Sequence, residues 1–332
     1  MAYTSIDDPT KYFNTVTYTG NGASSHAITG VGHQPDFVWI KRRDGTVNHL
    51  LHDSIRGVTK LLVSNSTAGD DVNTNILLGF DSDGFRVGAN SASNVSSGTF
   101  VSWNWKEDAT AGFDIVSYTG NSSDGTTVQD ISHSLSAVPH WIIVKNRTDS
   151  TNWAVYHKGN TSAPETEVIY LNATNATSDD SAFFGDTAPT SSQFRVGGDN
   201  GVNGNSDAMI AYVWSEKKGF SKFGKYSANN NADGPFVYLG FRPAWLMLKV
   251  VDGNTGGWDL YDNKRGAFNN QISMLQANAN SAQATSDAVD FLSNGFKIRS
   301  TSGNQNGSGD TIIYMAFAES PFVNSNGVPT NA

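Results

Sequence analysis

The chain has 332 residues, a formal net charge of −9, and only 16 % charged residues, while glycine alone contributes 33. A glycine-rich, charge-poor composition favours strands and turns over exposed helices, and a net negative chain repels nucleic-acid phosphates and anionic lipid. An all-helical protein, a nucleic-acid binder and a membrane-surface protein are therefore disfavoured. The chain has no cysteine, which excludes disulfides and thiol chemistry.

The N-terminal residues lack the positive and apolar regions of a secretory signal, so we expect none. The longest apolar runs are far shorter than the ~20 residues that a membrane-spanning helix needs. We therefore expect no insertion into a membrane and synthesis in a cytoplasm.

A seven-residue block recurs three times along the chain. It begins at Pro35, Pro139 and Pro243, continues with apolar residues and ends on lysine, and the prolines are 104 residues apart. Equal spacing of a long pattern indicates an internal repeat. The apolar block is typical of a strand buried on both faces, with the proline at the strand entry.

Other blocks keep the same order within each copy. The opening blocks are residues 13–20, 113–120 and 220–228. The blocks after the apolar strand are residues 48–53, 152–157 and 257–262. Later blocks are residues 84–88, 193–197 and 295–299, and the closing apolar strands are residues 100–105, 209–214 and 312–317. Asn-Gly and Asp-Gly turns lie between the blocks, which is the spacing of short strands.

The predicted fold class is all-β, as three tandem β-sandwich (jelly-roll-like) repeats of about 100 residues each. The predicted domains are residues 1–106 with an N-terminal arm, residues 107–216, and residues 217–332 with a C-terminal tail. We call these copies 1, 2 and 3. Residues 173–189 and 277–288 lack a period of two and are expected to be loops with room for a short helix. A pseudo-threefold disc and a linear array of copies both stay open, although the short linkers favour packed neighbours.

Aromatic residues supply the only candidate binding site. Trp153, Tyr156, Trp258 and Tyr261 lie on strands with polar neighbours, so we expect exposed rings that stack on sugar or on a protein partner. The alternative for such rings is an ordinary core.

Sequence motifs of catalytic and metal-binding sites are weak throughout the chain. None of the seven histidines lies in copy 3, and no Gly-x-Ser-x-Gly elbow is present. His49, His52 and Asp53 alternate along a strand and do not point at one ion, and Asp81 to Gly84 favours a tight turn over a calcium loop. Asp53 and Arg56, like Asp262 and Arg265, favour an acid–base pair across a turn. We predict no catalytic residue, no metal and no cofactor.

Several segments resemble a family of uncharacterised repeat domains in tailed-bacteriophage virion and tail-fibre proteins. The matching segments are residues 7–13, 18–22, 35–44, 80–85 and 316–322. The resemblance covers nearly the whole chain, and its motifs are strand and turn residues that carry no catalytic role. It implies a component of a virus particle.

The resemblance and the residues together lead to one expected function and its rivals. The expected function is a non-enzymatic structural protein of a phage virion, a tail fibre or tail-associated protein that contacts host-surface glycan. One rival is a capsid decoration or head-fibre protein, and another is a carbohydrate-binding or polysaccharide-cleaving protein. The expected partners are other virion proteins in a homo-oligomer or multi-copy assembly and host-surface polysaccharide, with no nucleic acid, and the expected location is the virion.

Overall fold

Strands dominate the structure. The computed structural model describes residues 3–266 and 269–330. It holds 43 % strand and 7 % helix, which confirms the all-β class. No helix within the described ranges is long and apolar enough to cross a membrane.

The elements form three series along the chain. Copy 1 contains β1 (Phe13–Thr19), β2 (His26–Thr29), β3 (Phe37–Arg42), β4 (Leu50–Asp53), β5 (Lys60–Leu61), β6 (Asp71–Val72), β7 (Leu77–Asp81), β8 (Gly84–Val87) and β9 (Thr99–Trp105). Copy 2 contains β10 (Phe113–Thr119), β11 (Gln129–Ser132), β12 (Trp141–Asn146), β13 (Ala154–His157), β14 (Glu167–Tyr170), β15 (Ser178–Asp179), β16 (Gln193–Val196) and β17 (Ala208–Trp214). Copy 3 contains β18 (Ser221–Ser227), β19 (Phe236–Tyr238), β20 (Phe241–Val250), β21 (Trp258–Asp262), β22 (Gln271–Gln276), β23 (Ala284–Leu292), β24 (Gly295–Ile298) and β25 (Thr311–Pro321). The helical turns are α1 (Ser91–Asn94), α2 (Ser181–Phe184), α3 (Asn200–Asn203), α4 (Gly303–Asn306) and the 3₁₀ turns Pro9–Lys11 and Pro164–Thr166.

One antiparallel strand order recurs in the three copies. The order places the last strand of the copy between its first strand and its central apolar strand: β1-β9-β3-β4, β10-β17-β12-β13 and β18-β25-β20-β21. Smaller sheets follow the orders β2-β8-β7 and β11-β16. In copy 3 the two parts join into one eight-stranded sheet that is nearly closed like a barrel. The shared order explains why the sequence blocks keep their sequence order in every copy.

The two predicted loops differ in outcome. Residues 173–189 contain the short helix α2, as expected. Residues 277–288 run instead into β23, which begins at Ala284.

The central strand of each copy is buried on both faces, as its unbroken apolar run predicts. In β3, Val38 and Ile40 point into a cluster made only of copy 1 residues. Phe37 and Trp39 point the other way, into a cluster that draws on all three copies. Alternate residues of one strand therefore serve two different cores. The strands β12 and β20 divide their side chains in the same way.

The cluster shared by all three copies, here called the common core, is aromatic. It contains all eight tryptophans of the chain: Trp39, Trp103, Trp105, Trp141, Trp153, Trp214, Trp245 and Trp258. Trp105 of copy 1 lies 6.3 Å from Trp214 of copy 2 and 5.6 Å from Trp245 of copy 3, measured between ring centroids. Large buried rings dominate the energetics of such a core.

Backbone hydrogen bonds join the copies into a closed ring. The Asp70 amide donates to the Arg147 carbonyl at 2.7 Å between copies 1 and 2. The Thr177 amide donates to the Val251 carbonyl at 3.0 Å between copies 2 and 3. The third bond, from Gln283 to Arg43 at 2.8 Å, joins copy 3 back to copy 1. A linear array has no such third contact, so the structure has the closed arrangement.

The lysine that ends each apolar block is buried and bonded to carbonyl groups. The Lys41 amine donates to Val47 at 2.6 Å and across the seam to Asn280 of copy 3 at 3.1 Å. The Lys249 amine likewise donates to Thr174 of copy 2 at 3.0 Å. Burial lowers the pKa of each of these lysines, and of Lys145, to about 8. The amines of Lys41 and Lys249 therefore hold their strand ends to a neighbouring copy through hydrogen bonds to carbonyl groups.

Candidate functional site

The predicted aromatic site does not reach the surface. Trp153 and Trp258 are both 0 % exposed and belong to the common core. The Trp153 indole donates to the Val63 carbonyl of copy 1 at 3.1 Å, and the Trp258 indole donates to the Tyr170 carbonyl of copy 2 at 2.9 Å. The expectation of exposed rings is wrong here because the second face of each strand is covered by the neighbouring copy.

The two predicted tyrosines are buried as well, inside their own copies. Tyr156 packs in the copy 2 core and Tyr261 in the copy 3 core. The Tyr261 hydroxyl accepts a hydrogen bond from the Gln305 side chain. Neither ring is available to stack on a sugar.

Three histidines are built into the interior. Burial lowers the pKa of His52 and of His157 to about 3, so both are neutral at neutral pH. The Trp39 indole donates to His49 Nδ1 at 2.8 Å, and burial lowers the pKa of His49 well below its usual range. These rings fill packing positions and lack the exposed cleft of a general base.

The acidic segment from Asp81 to Gly84 forms a tight turn, as predicted. β7 ends at Asp81 and β8 begins at Gly84. Asp81 pairs with Arg86 at 2.9 Å, and the Asp83 carboxylate accepts the backbone amides of Gly30 and Gly32. Across the described residues, no group of three or more His, Asp or Glu side chains is placed to hold a metal ion.

A buried ion pair stands at the seam between copies 1 and 2. The Arg56 guanidinium donates to Asp53 at 2.5 Å, and both side chains are fully buried. The Tyr212 hydroxyl of copy 2 donates to the same carboxylate at 2.7 Å. Asp70 receives Arg56 at 3.1 Å and Arg147 of copy 2 at 2.8 Å. The charges therefore balance within a network that spans the seam.

The seam between copies 3 and 1 repeats this arrangement. Arg265 donates to Asp262 at 2.5 Å, and the Trp103 indole of copy 1 donates to that carboxylate at 3.0 Å. Copy 2 has His157 at the corresponding position, and its Nε2 lies 3.1 Å from the Tyr314 carbonyl of copy 3. The acid–base pair predicted from sequence is present, and it fastens one copy to the next.

An open cleft lies where the chain leaves copy 1, and sequence reasoning missed it. Its volume is about 650 Å³, and its lining includes Lys11, Tyr12, His33, Gln34 and Lys106. The Tyr12 ring packs edge-on against Phe220 at 6.1 Å, which fixes its plane from the core side. The Lys106 amine lies 5.8 Å from the centroid of the same ring.

The cleft has a defined polar wall. His33 Nδ1 lies 2.7 Å from the Thr10 carbonyl, and burial lowers the pKa of this imidazole. Asp36 also lines the cleft, and its carboxylate accepts the Glu107 amide at 2.9 Å. Neither Lys11 nor Lys106 has a carboxylate partner within 4 Å in the described part of the chain. The cleft thus combines two unpaired amines, one ring and one carboxylate.

Next to the cleft, Glu107 forms a carboxyl pair with Asp114. Burial, and the hydrogen bond that protonated Glu107 donates to the Asp114 carboxylate, raise the pKa of Glu107 to about 7. The two groups are in direct hydrogen-bond contact, whereas glycoside hydrolysis needs carboxyl groups roughly 5 Å or more apart. This pair therefore does not favour the polysaccharide-cleaving alternative.

Comparisons with known proteins identify one family. A model described as a domain of unknown function, DUF7483, matches residues 8–321 and so spans all three copies. Neither the curated proteins nor the solved structures give a match. The chain belongs to the DUF7483 family.

Proposed function

We propose that the chain is a non-enzymatic structural component of a bacteriophage particle. The observation that carries the proposal is that buried polar and aromatic side chains connect the copies to one another. Buried acids, arginines and tryptophans, such as Asp53, Arg56 and Trp153, fasten one copy to the next. A part that works by presenting a rigid surface needs such internal fastening, whereas an enzyme needs such groups in an open cleft. The resemblance of the sequence blocks to virion proteins points the same way.

The finer architecture that we infer is three tandem β-sandwich repeats of jelly-roll type. The recurring strand order and the three copy-specific cores support it. In copies 1 and 2 the larger sheet then lies between the copy core and the common core, and a smaller sheet covers the other side of the copy core.

The compact shape bears on the proposed position of the chain on the particle. A closed ring of three copies favours a compact tail-associated or shell-decorating part over an elongated fibre shaft. We keep the tail as the first position, with other virion proteins as partners in many copies, and decoration of the capsid as its rival.

Particle composition tests this proposal. Purified particles are analysed by quantitative mass spectrometry for copy number relative to the major shell protein, and antibody labelling then locates the chain. A few copies at the tail support the first position, and hundreds on the shell support decoration. Absence of the chain from purified particles contradicts both.

A further inference from the structure

The side chains that line the cleft beside Tyr12 in copy 1 differ from the residues at the equivalent positions of the other copies. One recurring backbone hydrogen bond identifies the equivalent positions. The backbone amide of Lys106 donates to the Tyr12 carbonyl at 2.9 Å, and the amides of Ser215 and Ala318 donate to the carbonyls of Gly112 and Phe220, each at 2.8 Å. At the Lys106 position the other copies therefore carry Ser215 and Ala318. Neither of them supplies an amine.

The other cleft residues diverge in the same way. The residues before Gly112 and Phe220, which correspond to Lys11, are Ala111 and Gly219. Two residues before the aligned prolines, His33 is replaced by Ala137 and Phe241. Lys11, His33 and Lys106 thus occur together at one of three equivalent places, while the framework around them is shared.

The chemistry of the cleft selects a ligand class. Lysine amines bind a carboxylate through charge-assisted hydrogen bonds, and a fixed aromatic ring offers an apolar face to a sugar. Gln34 and Ser82 are exposed side chains of the lining that match sugar hydroxyls. The cavity volume of about 650 Å³ lies in the range of small-molecule sites.

We propose that this cleft binds an acidic saccharide, with its carboxylate on Lys11 and Lys106 and a sugar ring against Tyr12. The amines outnumber the single lining carboxylate of Asp36, which is already engaged by the Glu107 amide. The site differs from the predicted aromatic site, whose rings are buried. It deepens the proposed function and rests on it, since a particle component at the host surface meets charged polysaccharide.

Titration of the full chain at low ionic strength tests the site, with sodium D-galacturonate as the probe and D-galactose and acetate as comparisons. Galacturonate is expected to bind more tightly than either, because only it has both a carboxylate and a sugar ring. Binding is expected to weaken as salt is added. Equal binding of galactose, equal binding of acetate, or no binding of galacturonate overturns the proposal.

Two variants and one matched control locate the binding. Lys106→Ser installs the residue that copy 2 carries, and it is expected to weaken galacturonate binding about tenfold or more. Lys11→Ala, at an exposed position, is also expected to weaken galacturonate binding. It replaces Lys106→Ser as the test if that variant folds poorly. Lys225→Ser removes the same charge from an exposed position of β18, away from the cleft, and is expected to leave binding unchanged. Equal weakening by Lys225→Ser overturns the site. The titration needs only the purified chain, so its failure is separate from a failure to find the chain in particles.

Discussion

At the residue scale, the buried pair of Asp262 and Arg265 illustrates how charge is used at the seams. Both side chains are fully buried, and the Trp103 indole of copy 1 donates a further hydrogen bond to the Asp262 carboxylate. A buried pair adds little over an apolar replacement, but a lone buried charge is costly. The pair therefore stabilises the seam only while both partners are present.

Breaking that pair on one side has a predictable cost. Arg265→Met leaves the Asp262 carboxylate without its cation and is expected to lower the free energy of unfolding by about 3–5 kcal/mol. The double variant Asp262→Asn/Arg265→Met is expected to lose clearly less, because no charge remains buried. Urea unfolding of the three proteins measures this, and equal losses in the single and double variants would count against the argument.

Glu107 makes a second prediction, on pH. Its pKa is raised from 4.5 to about 7 by burial and by Asp114, so the folded chain holds a proton that the unfolded chain releases. The stability that this proton provides is complete below pH 4.5 and is lost as the pH rises to about 7. Buried histidines such as His52 have the opposite effect on stability, because their lowered pKa makes the folded chain less stable as the pH falls. A comparison with a variant isolates the Glu107 contribution.

Glu107→Gln is that variant, since the amide keeps an acceptor for the Ile115 amide and cannot ionise. Between pH 5 and pH 8 the parent chain is expected to lose more stability than Glu107→Gln, as read from urea midpoints. An identical change in both proteins would show that the carboxyl pair does not take up the proton.

At the element scale, the central strands explain what sequence could and could not predict. The apolar block around Trp39 predicts a strand buried on both faces, and β3 confirms it. Alternation along a strand does not say which element covers the second face. For that reason the polar neighbours of Trp153 predict a surface position, whereas the structure places this ring in the common core. The cleft has no signature in the sequence, because Tyr12, His33 and Lys106 lie far apart along the chain and meet only in the fold.

Trp105 at the end of β9 connects all three copies and provides an element-scale prediction. Trp105→Ala is expected to cost about 3–5 kcal/mol of unfolding free energy. Since every tryptophan lies in the common core, the loss is also expected to make the remaining indoles more accessible to acrylamide quenching in the native state.

Phe85→Ala is the matched control, because Phe85 is equally buried but belongs to the copy 1 core. It is expected to lower stability by a similar amount while leaving native tryptophan quenching unchanged. If Phe85→Ala exposed the indoles as much as Trp105→Ala, the separation of the common core from the copy cores would be wrong.

At the scale of the whole molecule, the three sequence repeats form the three parts of one closed ring. The 104-residue spacing is visible in the sequence and predicts three copies, whereas the seam bonds that close the ring are backbone contacts without a sequence signature. The N-terminal arm adds to the closure, because the Tyr3 hydroxyl donates to the Gly240 carbonyl of copy 3 at 3.0 Å. The family match over residues 8–321 covers the same three-copy unit.

Because the three copies share one framework, the positions at which their residues differ point to specialised roles. Copies 1 and 3 place an acid–arginine pair at a seam, and copy 2 places His157 there. Copy 1 carries Lys106 in the cleft, whereas the equivalent positions of copies 2 and 3 carry Ser215 and Ala318. A ring of equivalent copies thus provides the rigid body, and the non-equivalent positions are where binding specificity is expected.

Small-angle X-ray scattering of the purified chain tests the closed ring most directly. A compact body of 332 residues is expected to have a radius of gyration of about 20 Å. Three bodies of about 100 residues in a line would give about 28 Å and an elongated distance distribution. A monomer value near the smaller figure with a compact distribution agrees with the ring around the common core, and the larger value would contradict it.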